Sequence, residues 1–146
     1  GQIEHHINAG ELFVARGTGN RIIGCVALTE QDSMWPDQAT SNALYFHKLM
    51  KDPEAGDESI GMAKRLLGFT ADEALRRGKD TVRCDVKTEL PRLVQYYVDG
   101  FGFEPRGTAV YGSTQLEATL LETYPMTLKA RCDGPDAQTE PVSIGT

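Results

Sequence analysis

The run Ser59-Ile60-Gly61-Met62-Ala63-Lys64 places small residues at the opening of a long amphipathic stretch, after a strand-like run at 43–50. A strand, a loop and a helix that begins on small residues make a phosphate cradle. The first N–H groups of a helix lack partners, its dipole is positive there, and residues without bulk let an anion come close. Close helix–sheet packing is the other use for Gly61 and Ala63. On the strand, Tyr45, His47 and Leu49 fall on one face and Phe46, Lys48 and Met50 on the other. If the first face lines a cleft, His47 is a base that titrates near neutrality; otherwise it is a half-buried ring bonded to a neighbour's carbonyl. Trp35 in a polar loop offers a ring for stacking or for packing over a hairpin, and Glu30 and Asp32 beside it are further base candidates or plain loop carboxylates. Cys84 stands mid-strand with no motif partner and reads as a buried apolar residue. Glu4-His5-His6 lacks a third ligand and suitable spacing, so no metal is expected.

These groups need elements to hold them. Residues 11–16 alternate, Gly17-Thr18-Gly19-Asn20 turns, and 21–28 returns, which predicts a β-hairpin. A polar connection covers 30–42. The helix is predicted from about 60 to 77, with Ser59 as its cap and Gly78 as its stop. Ala63, Leu66, Leu67, Thr70, Ala74 and Leu75 make its apolar face. Residues 81–86 predict a strand parallel to the one before the helix, because strand–helix–strand units cross over that way. A second helix starts at Pro91 and ends at Gly100, and strands are predicted at 103–111 and 124–131. The Pro/Gly/Asp/Thr-rich stretch 133–146 reads as a disordered tail behind a single domain at 1–132. The order is α/β with a mixed sheet, unlike the strict alternation of a doubly wound nucleotide fold.

Composition narrows the functional classes. The chain has 146 residues and a net charge of −6, without the basic stripe of a nucleic-acid binder. No apolar run reaches the ~20 residues that span a bilayer, so no membrane partner is expected. Cys25, Cys84 and Cys132 are odd in number and scattered, which argues against a disulfide framework or zinc site and for a reducing cytoplasm.

Four blocks, in order, resemble the GCN5-related N-acetyltransferase family: Gly24-Cys25-Val26-Ala27-Leu28; Tyr45-Phe46-His47-Lys48-Leu49 with Gly61-Met62-Ala63-Lys64-Arg65-Leu66-Leu67; Asp85-Val86-Lys87-Thr88 with Pro91-Arg92-Leu93-Val94-Gln95-Tyr96-Tyr97; and Gly102-Phe103-Glu104-Pro105-Arg106-Gly107. Trp35, Tyr45-x-His47-x-Leu49 and Tyr96-Tyr97 look most like an actinobacterial-type branch. The resemblance implies a three-layer α/β fold with a mixed, mostly antiparallel central sheet flanked by helices. It implies acetyl-coenzyme A as co-substrate, with the main chain of Leu49, Met50 and Lys51 along the pantetheine arm. The amides of Ser59, Ile60, Gly61, Met62, Ala63 and Lys64 would hold the pyrophosphate, and Tyr97 would be the general acid. The acceptor, a primary amine of a small molecule or peptide, would enter from the other side of the splayed strands, toward His47, Tyr45 and Trp35. Many members pair, so a homodimer is expected.

Five features depart from the family pattern: the loop 51–57 is longer than usual, an extra residue before Gly102-Phe103 makes Val98 the position reached by counting back where counting forward from Pro91 gives Tyr97, and three more follow. Glu58 stands where Arg or Gln is usual, and a carboxylate there would repel a pyrophosphate unless turned away. Leu90 replaces a frequent Asn. The family's first strand and two helices have no counterpart beyond a helix remnant at 2–9. These departures motivate the alternative of a catalytically degenerate binding or regulatory module on the same scaffold.

Overall fold

The computed structural model describes residues 12–112 and 114–133, together with the backbone of Ser143–Gly145. The hairpin joins β1 (Leu12–Arg16) to β2 (Ile22–Thr29), and β3 (Ala43–Lys51) pairs with β2. A 3-10 turn (Pro53–Ser59) leads to α1 (Met62–Arg76), then β4 (Thr81–Lys87) and α2 (Pro91–Phe101). β5 (Glu104–Val110), β6 (Glu117–Thr123), α3 (Pro125–Cys132) and β7 (Ser143–Gly145) complete the order. The sheet runs β5-β6-β4-β3-β2-β1-β7, and β3–β4 is its parallel pair among antiparallel neighbours. That is the mixed, mostly antiparallel sheet expected from the sequence.

Two cores lie on opposite faces of the sheet. The larger packs Leu44 and Phe46 of β3 and Val82, Cys84 and Val86 of β4 against all three helices. The smaller gathers Trp35, Ala43, Tyr45 and Leu120 beneath the 30–42 connection. Arg83 pins that connection down: its guanidinium donates to both Asp37 oxygens at 3.0 Å, to Glu122 at 2.7 Å and to the Tyr45 hydroxyl at 3.1 Å, and lies 4.2 Å from the Trp35 ring centre. A planar guanidinium can serve two carboxylates and stack on an indole at once.

Several expectations are corrected. The stretch 124–131 is a helix, and the strand lies just before it at Glu117–Thr123. Pro125 takes the first helical position, and Pro125, Leu128 and Cys132 are buried at helical spacing. Within the expected tail, Asp133 closes α3 and Ser143–Gly145 pair with β1 at Val14–Arg16. Ser59 does not cap α1: its hydroxyl donates to the Gly56 carbonyl at 2.8 Å, and left-handed Gly61 (φ 72) occupies the cap. The buried face of α1 is Met62, Leu66, Leu67, Thr70, Ala71 and Ala74, with Leu75 38% exposed. The helix remnant at 2–9, with His5 and His6, lies outside the described residues. No helix among the described residues is long and apolar enough to cross a membrane.

Burial ranks the helix positions energetically. Leu67 is fully buried and Leu75 half out, so Leu67→Ala should lower unfolding stability by about 2–5 kcal/mol. Leu75→Ala should change it by no more than about 0.5 kcal/mol. Urea midpoints of the two variants check this; equal losses would mean that α1 is packed on a different face.

Candidate functional site

The strands β3 and β4 pair only from Ala43↔Thr81 to Tyr45↔Arg83. Beyond that point β3 follows β2 to Gly24↔Lys51, while β4 follows β6 to Lys87↔Ala118, so a wedge opens in the middle of the sheet. A bulge in β3 accompanies the parting. Cys25 faces Met50 and Ala27 faces His47, so Lys48 and Leu49 together oppose Val26, and Lys48 takes φ 55. An extra residue in one strand resets its alternation. Leu49 therefore packs with the Leu44/Phe46 core instead of sharing the face of Tyr45 and His47, as simple alternation predicted. The Cys25 thiol donates to the Lys48 carbonyl at 3.5 Å, across the bulge.

A cavity of about 590 Å³ lies on the helical side of this wedge. Its wall includes all nine residues expected to hold a cofactor: Leu49, Met50 and Lys51 from the end of β3, and Ser59, Ile60, Gly61, Met62, Ala63 and Lys64 from the start of α1. The first i→i−4 bond near this end runs from the Arg65 N–H to the Gly61 carbonyl, and no side chain among the described residues caps the helix. The N–H groups of Met62, Ala63 and Lys64 consequently have no acceptor within the helix. Gly24 supports the same corner from below: a Cβ there would sit 2.8 Å from Met62, which seats the first turn on β2.

Glu58 is turned away from the cradle. It accepts hydrogen bonds from the Thr18 N–H, at 3.0 Å, and from the Thr18 hydroxyl, and it packs where a Cβ on Gly17 would lie. These bonds from Thr18 hold its carboxyl below the usual range. The charge that seemed to threaten an anion site is thus absorbed by the β1–β2 turn, and Glu58 is absent from the cavity wall. Leu90 behaves as its apolar chemistry dictates: it stands at the cap of α2, makes no side-chain cap bond and is 44% exposed.

Leu66 of α1 completes the near wall, and the far wall comes from α2 and α3, first Leu93, Tyr96, Tyr97, Gly100 and Phe101, then Arg131. Spacing along α2 could have revealed the first five, which recur at three and four residues. Arg131 was hidden by the mistaken strand, and it ties α3 to α2 through a 2.8 Å bond to the Asp99 carbonyl. Tyr97 is 7% exposed and packs against Phe46, Tyr96, Phe101 and Phe103, with ring centres 5.6–6.4 Å away. Gly102 (φ 77) ends α2 and lets the Phe103 N–H return to the Tyr97 carbonyl, so the closing Gly-Phe turn fixes that tyrosine. Burial, aided by Cys84 and Tyr96, raises the Tyr97 phenol well above its ordinary value. It stays protonated at neutral pH.

The opposite face carries the second group. His47 lies on β3 and Asp85 on β4, each two residues past the last β3–β4 pair, and Asp32 reaches them from the connection. One donor atom from each lies within 4.8 Å of the others. His47 Nε2 is 3.1 Å from Thr29 Oγ1 and 3.7 Å from Asp32 Oδ2. The Met34 N–H donates to Asp32 Oδ1 at 2.9 Å, and the Tyr111 hydroxyl donates to Asp85 Oδ2 at 2.5 Å. Burial pushes the Asp32 carboxyl up, and Asp85 adds to that push, against the pull of Met34 N–H and His47. Trp35 and Tyr45, the expected substrate contacts, are 3% and 0% exposed; their rings are spent on each other and on Arg83.

No protein-family model and no curated protein matches the sequence. Solved structures do match in fold. An acetyltransferase of the GNAT family from Listeria monocytogenes superposes with a TM-score of 0.68 at 21% identity, covering 84% of this chain and 69% of that one. An N-acetyltransferase from Staphylococcus aureus Mu50 gives 0.60 at 19%, covering 85% and 73%. A spermidine N-acetyltransferase from Vibrio cholerae, in complex with CoA and spermine, gives 0.61 at 19%, covering 87% and 72%. The fold of this chain is that of the GNAT acetyltransferases.

Asp32 supplies a stability test. Its folded carboxyl is weaker than an unfolded one, so its ionised form opposes folding. That penalty is absent below the unfolded pKa of about 4 and is fully present once pH has risen past the folded value. Asn keeps the oxygen that accepts from Met34. Asp32→Asn should therefore be more stable than the parent chain at pH 7, with the difference closing as pH falls toward 4. Thermal melts across that range check it, and a variant less stable at pH 7 would refute the assigned burial.

Proposed function

We propose that this chain is an N-acyltransferase that moves an acetyl group from acetyl-coenzyme A to a primary amine by direct transfer in a ternary complex. The observation that carries the reading is the convergence, on one cavity beside a parted strand pair, of an uncapped helix start, a bulged strand end and a buried protonated tyrosine. The coenzyme supplies the activated acyl thioester. Along the arm of that ligand, Leu49, Met50 and Lys51 offer main-chain groups, as a partner strand would. The N–H groups of Met62, Ala63 and Lys64 point a positive helix end at the pyrophosphate, with Ser59, Ile60 and Gly61 shaping the turn. Arg131 and Lys64 add positive charge to the same wall. Tyr97 holds the proton for the departing thiolate. A phenol kept neutral by burial is suited to that role.

The amine enters from the other face of the wedge, where His47 and its carboxylate neighbours take the ammonium proton. An alkylamine has a pKa near ~10.4, so a proton acceptor is required at neutral pH. The spermidine N-acetyltransferase with the same fold was solved with an amine and CoA, which supports this substrate class. Trp35, Tyr45-x-His47 and Tyr96-Tyr97 fit an actinobacterial-type member of that family. The degenerate-module alternative keeps Leu90 as its motive and loses Glu58, whose carboxylate is bound elsewhere.

Calorimetry with acetyl-coenzyme A tests the cavity, and absence of both heat and thermal shift at millimolar ligand would end the reading. Tyr97→Phe should lower kcat by about 10²-fold with coenzyme affinity nearly unchanged. Full activity in that variant would remove Tyr97 from the mechanism, and coenzyme binding without turnover on a broad amine panel would favour the degenerate module.

A further inference from the structure

The segment 57–60 that leads into the cradle lies between two glycines at positive φ, Gly56 (φ 60) and Gly61 (φ 72). Glycine takes several conformations with little penalty, so neither pivot fixes by itself where that segment points. Within it, the Ser59 hydroxyl donates to the Gly56 carbonyl at 2.8 Å and the Ile60 N–H to the Asp57 carbonyl at 3.2 Å. Those bonds close the turn on itself and not on the sheet. Glu58 makes the outward tie. Its Oε1 accepts from both the N–H and the hydroxyl of Thr18, and its own carbonyl accepts from Arg65 Nη1 at 3.4 Å. The seat suits a carboxylate closely, since a Cβ on Gly17 would lie 2.6 Å from Oε2. A second tie runs beside it: Arg21 donates to the Asp52 carboxylate at 2.7 Å, and the Asp52 N–H donates to the Ile23 carbonyl at 2.9 Å. The β1–β2 turn thus grips the loop 52–59 at its start and at its end.

We infer that Glu58 is a positioning residue for the acyl donor: anchored on the β1–β2 turn, it holds the cradle amides in place for the donor's diphosphate without touching that ligand. This rests on the acyl-transfer reading. A carboxylate beside an anion site can act in two ways, and they have opposite signs. If its charge reaches the diphosphate, removing it relieves a repulsion and tightens the donor. If it anchors the turn, removing it lets the segment reorient about Gly56 and Gly61, and binding must then supply the ordering. The geometry favours the anchor. Both bonds from Thr18 end on the carboxylate, Glu58 is absent from the cavity wall, and the charged groups in that wall are Lys51, Lys64 and Arg131. An Arg at this position would bring its own charge to an anion. A carboxylate fixed to a neighbouring turn serves the same ligand by shaping backbone donors instead.

The probes are coenzyme A and pantetheine, which is the same arm without the nucleotide, each titrated by NMR into the full chain and its variants. Glu58→Ala should weaken coenzyme A by about three- to tenfold, between the effects of a charged hydrogen bond and of an exposed ion pair. Pantetheine, which lacks the diphosphate, should change by less than about twofold in the same variant. Glu58→Gln keeps an oxygen for both Thr18 donors, so its coenzyme A affinity should stay within about twofold of the parent chain. Gly17→Ala leaves every bonding group present and displaces the carboxylate from its seat. It should weaken coenzyme A in the same direction, add no further loss to Glu58→Ala, and give a second reading should Glu58→Ala fold poorly. Unchanged or tighter coenzyme A binding in Glu58→Ala, equal losses in the Ala and Gln variants, or equal losses for coenzyme A and pantetheine would each overturn the proposal. Failure of the parent chain to bind coenzyme A would instead overturn the acyl-transfer reading, an outcome that no comparison among variants can produce.

Discussion

Everything in this molecule depends on where β3 and β4 stop pairing. Three register positions bind them, and after Tyr45↔Arg83 each follows its other neighbour. A sheet interior seldom tolerates such a parting, because unpaired backbone groups are costly when buried. Here the opening is used from both sides. The bulge at Lys48 turns Leu49 toward the helices and leaves His47 on the opposite face, so one strand serves the cavity and the acidic cluster alike. Without the extra residue, Leu49 would lie beside His47 and the end of β3 would present its other groups to α1.

The two faces are stabilised by different means. On the helical side the work is apolar: Leu66, Leu67, Leu121 and Leu128 are fully buried, and the aromatic group around Tyr97 closes the far wall. On the other side a short connection must be held without a helix of its own among the described residues. Arg83 does this through two carboxylates, a hydroxyl and an indole face. Removing one member of a buried ionic set leaves an uncompensated charge and is usually worse than never having had the set. The connection is therefore tied to the sheet at Asp37, in the same loop that carries Asp32 to His47.

Much of this was legible in the sequence. Gly19, Asn20 and Gly78 mark a turn and a helix end through positive φ, and Pro91 marks a helix start through its fixed ring; those boundaries lie where expected, whereas α2, expected to end at Gly100, runs to Phe101 and is closed by Gly102. The residues from β3 and the start of α1 that line the cavity were picked out by the family resemblance, and only Ser59, Gly61 and Ala63 also by their small size at a helix start. Residues 124–131 misled because Tyr124, Met126 and Leu128 alternate like a strand, while the buried set turned out to be Pro125, Leu128 and Cys132. The bulge at Lys48 has no sequence signature, for a lysine at positive φ is chosen by its surroundings and not by its type. Asp32 was one of two loop carboxylates named as base candidates, and no local pattern says that it, and not Glu30, will be folded against His47.

Burial acts in the same direction on Tyr97 and Asp32, and the consequences differ. For the phenol, a raised value reinforces a form it would hold at neutral pH anyway, so the proton is simply secured. For the carboxylate, the same physics makes the ionised form unstable and the group eager for a cation or a proton. In the acyl transfer proposed above, these two groups would be the acid that holds its proton and the base that seeks one, set on opposite faces of the sheet. Separation of such pairs by environment is how a protein assigns acid and base roles at a single pH. In this chain the sheet itself makes the separation, since a residue on β3 or β4 cannot face the helices and the connection at once.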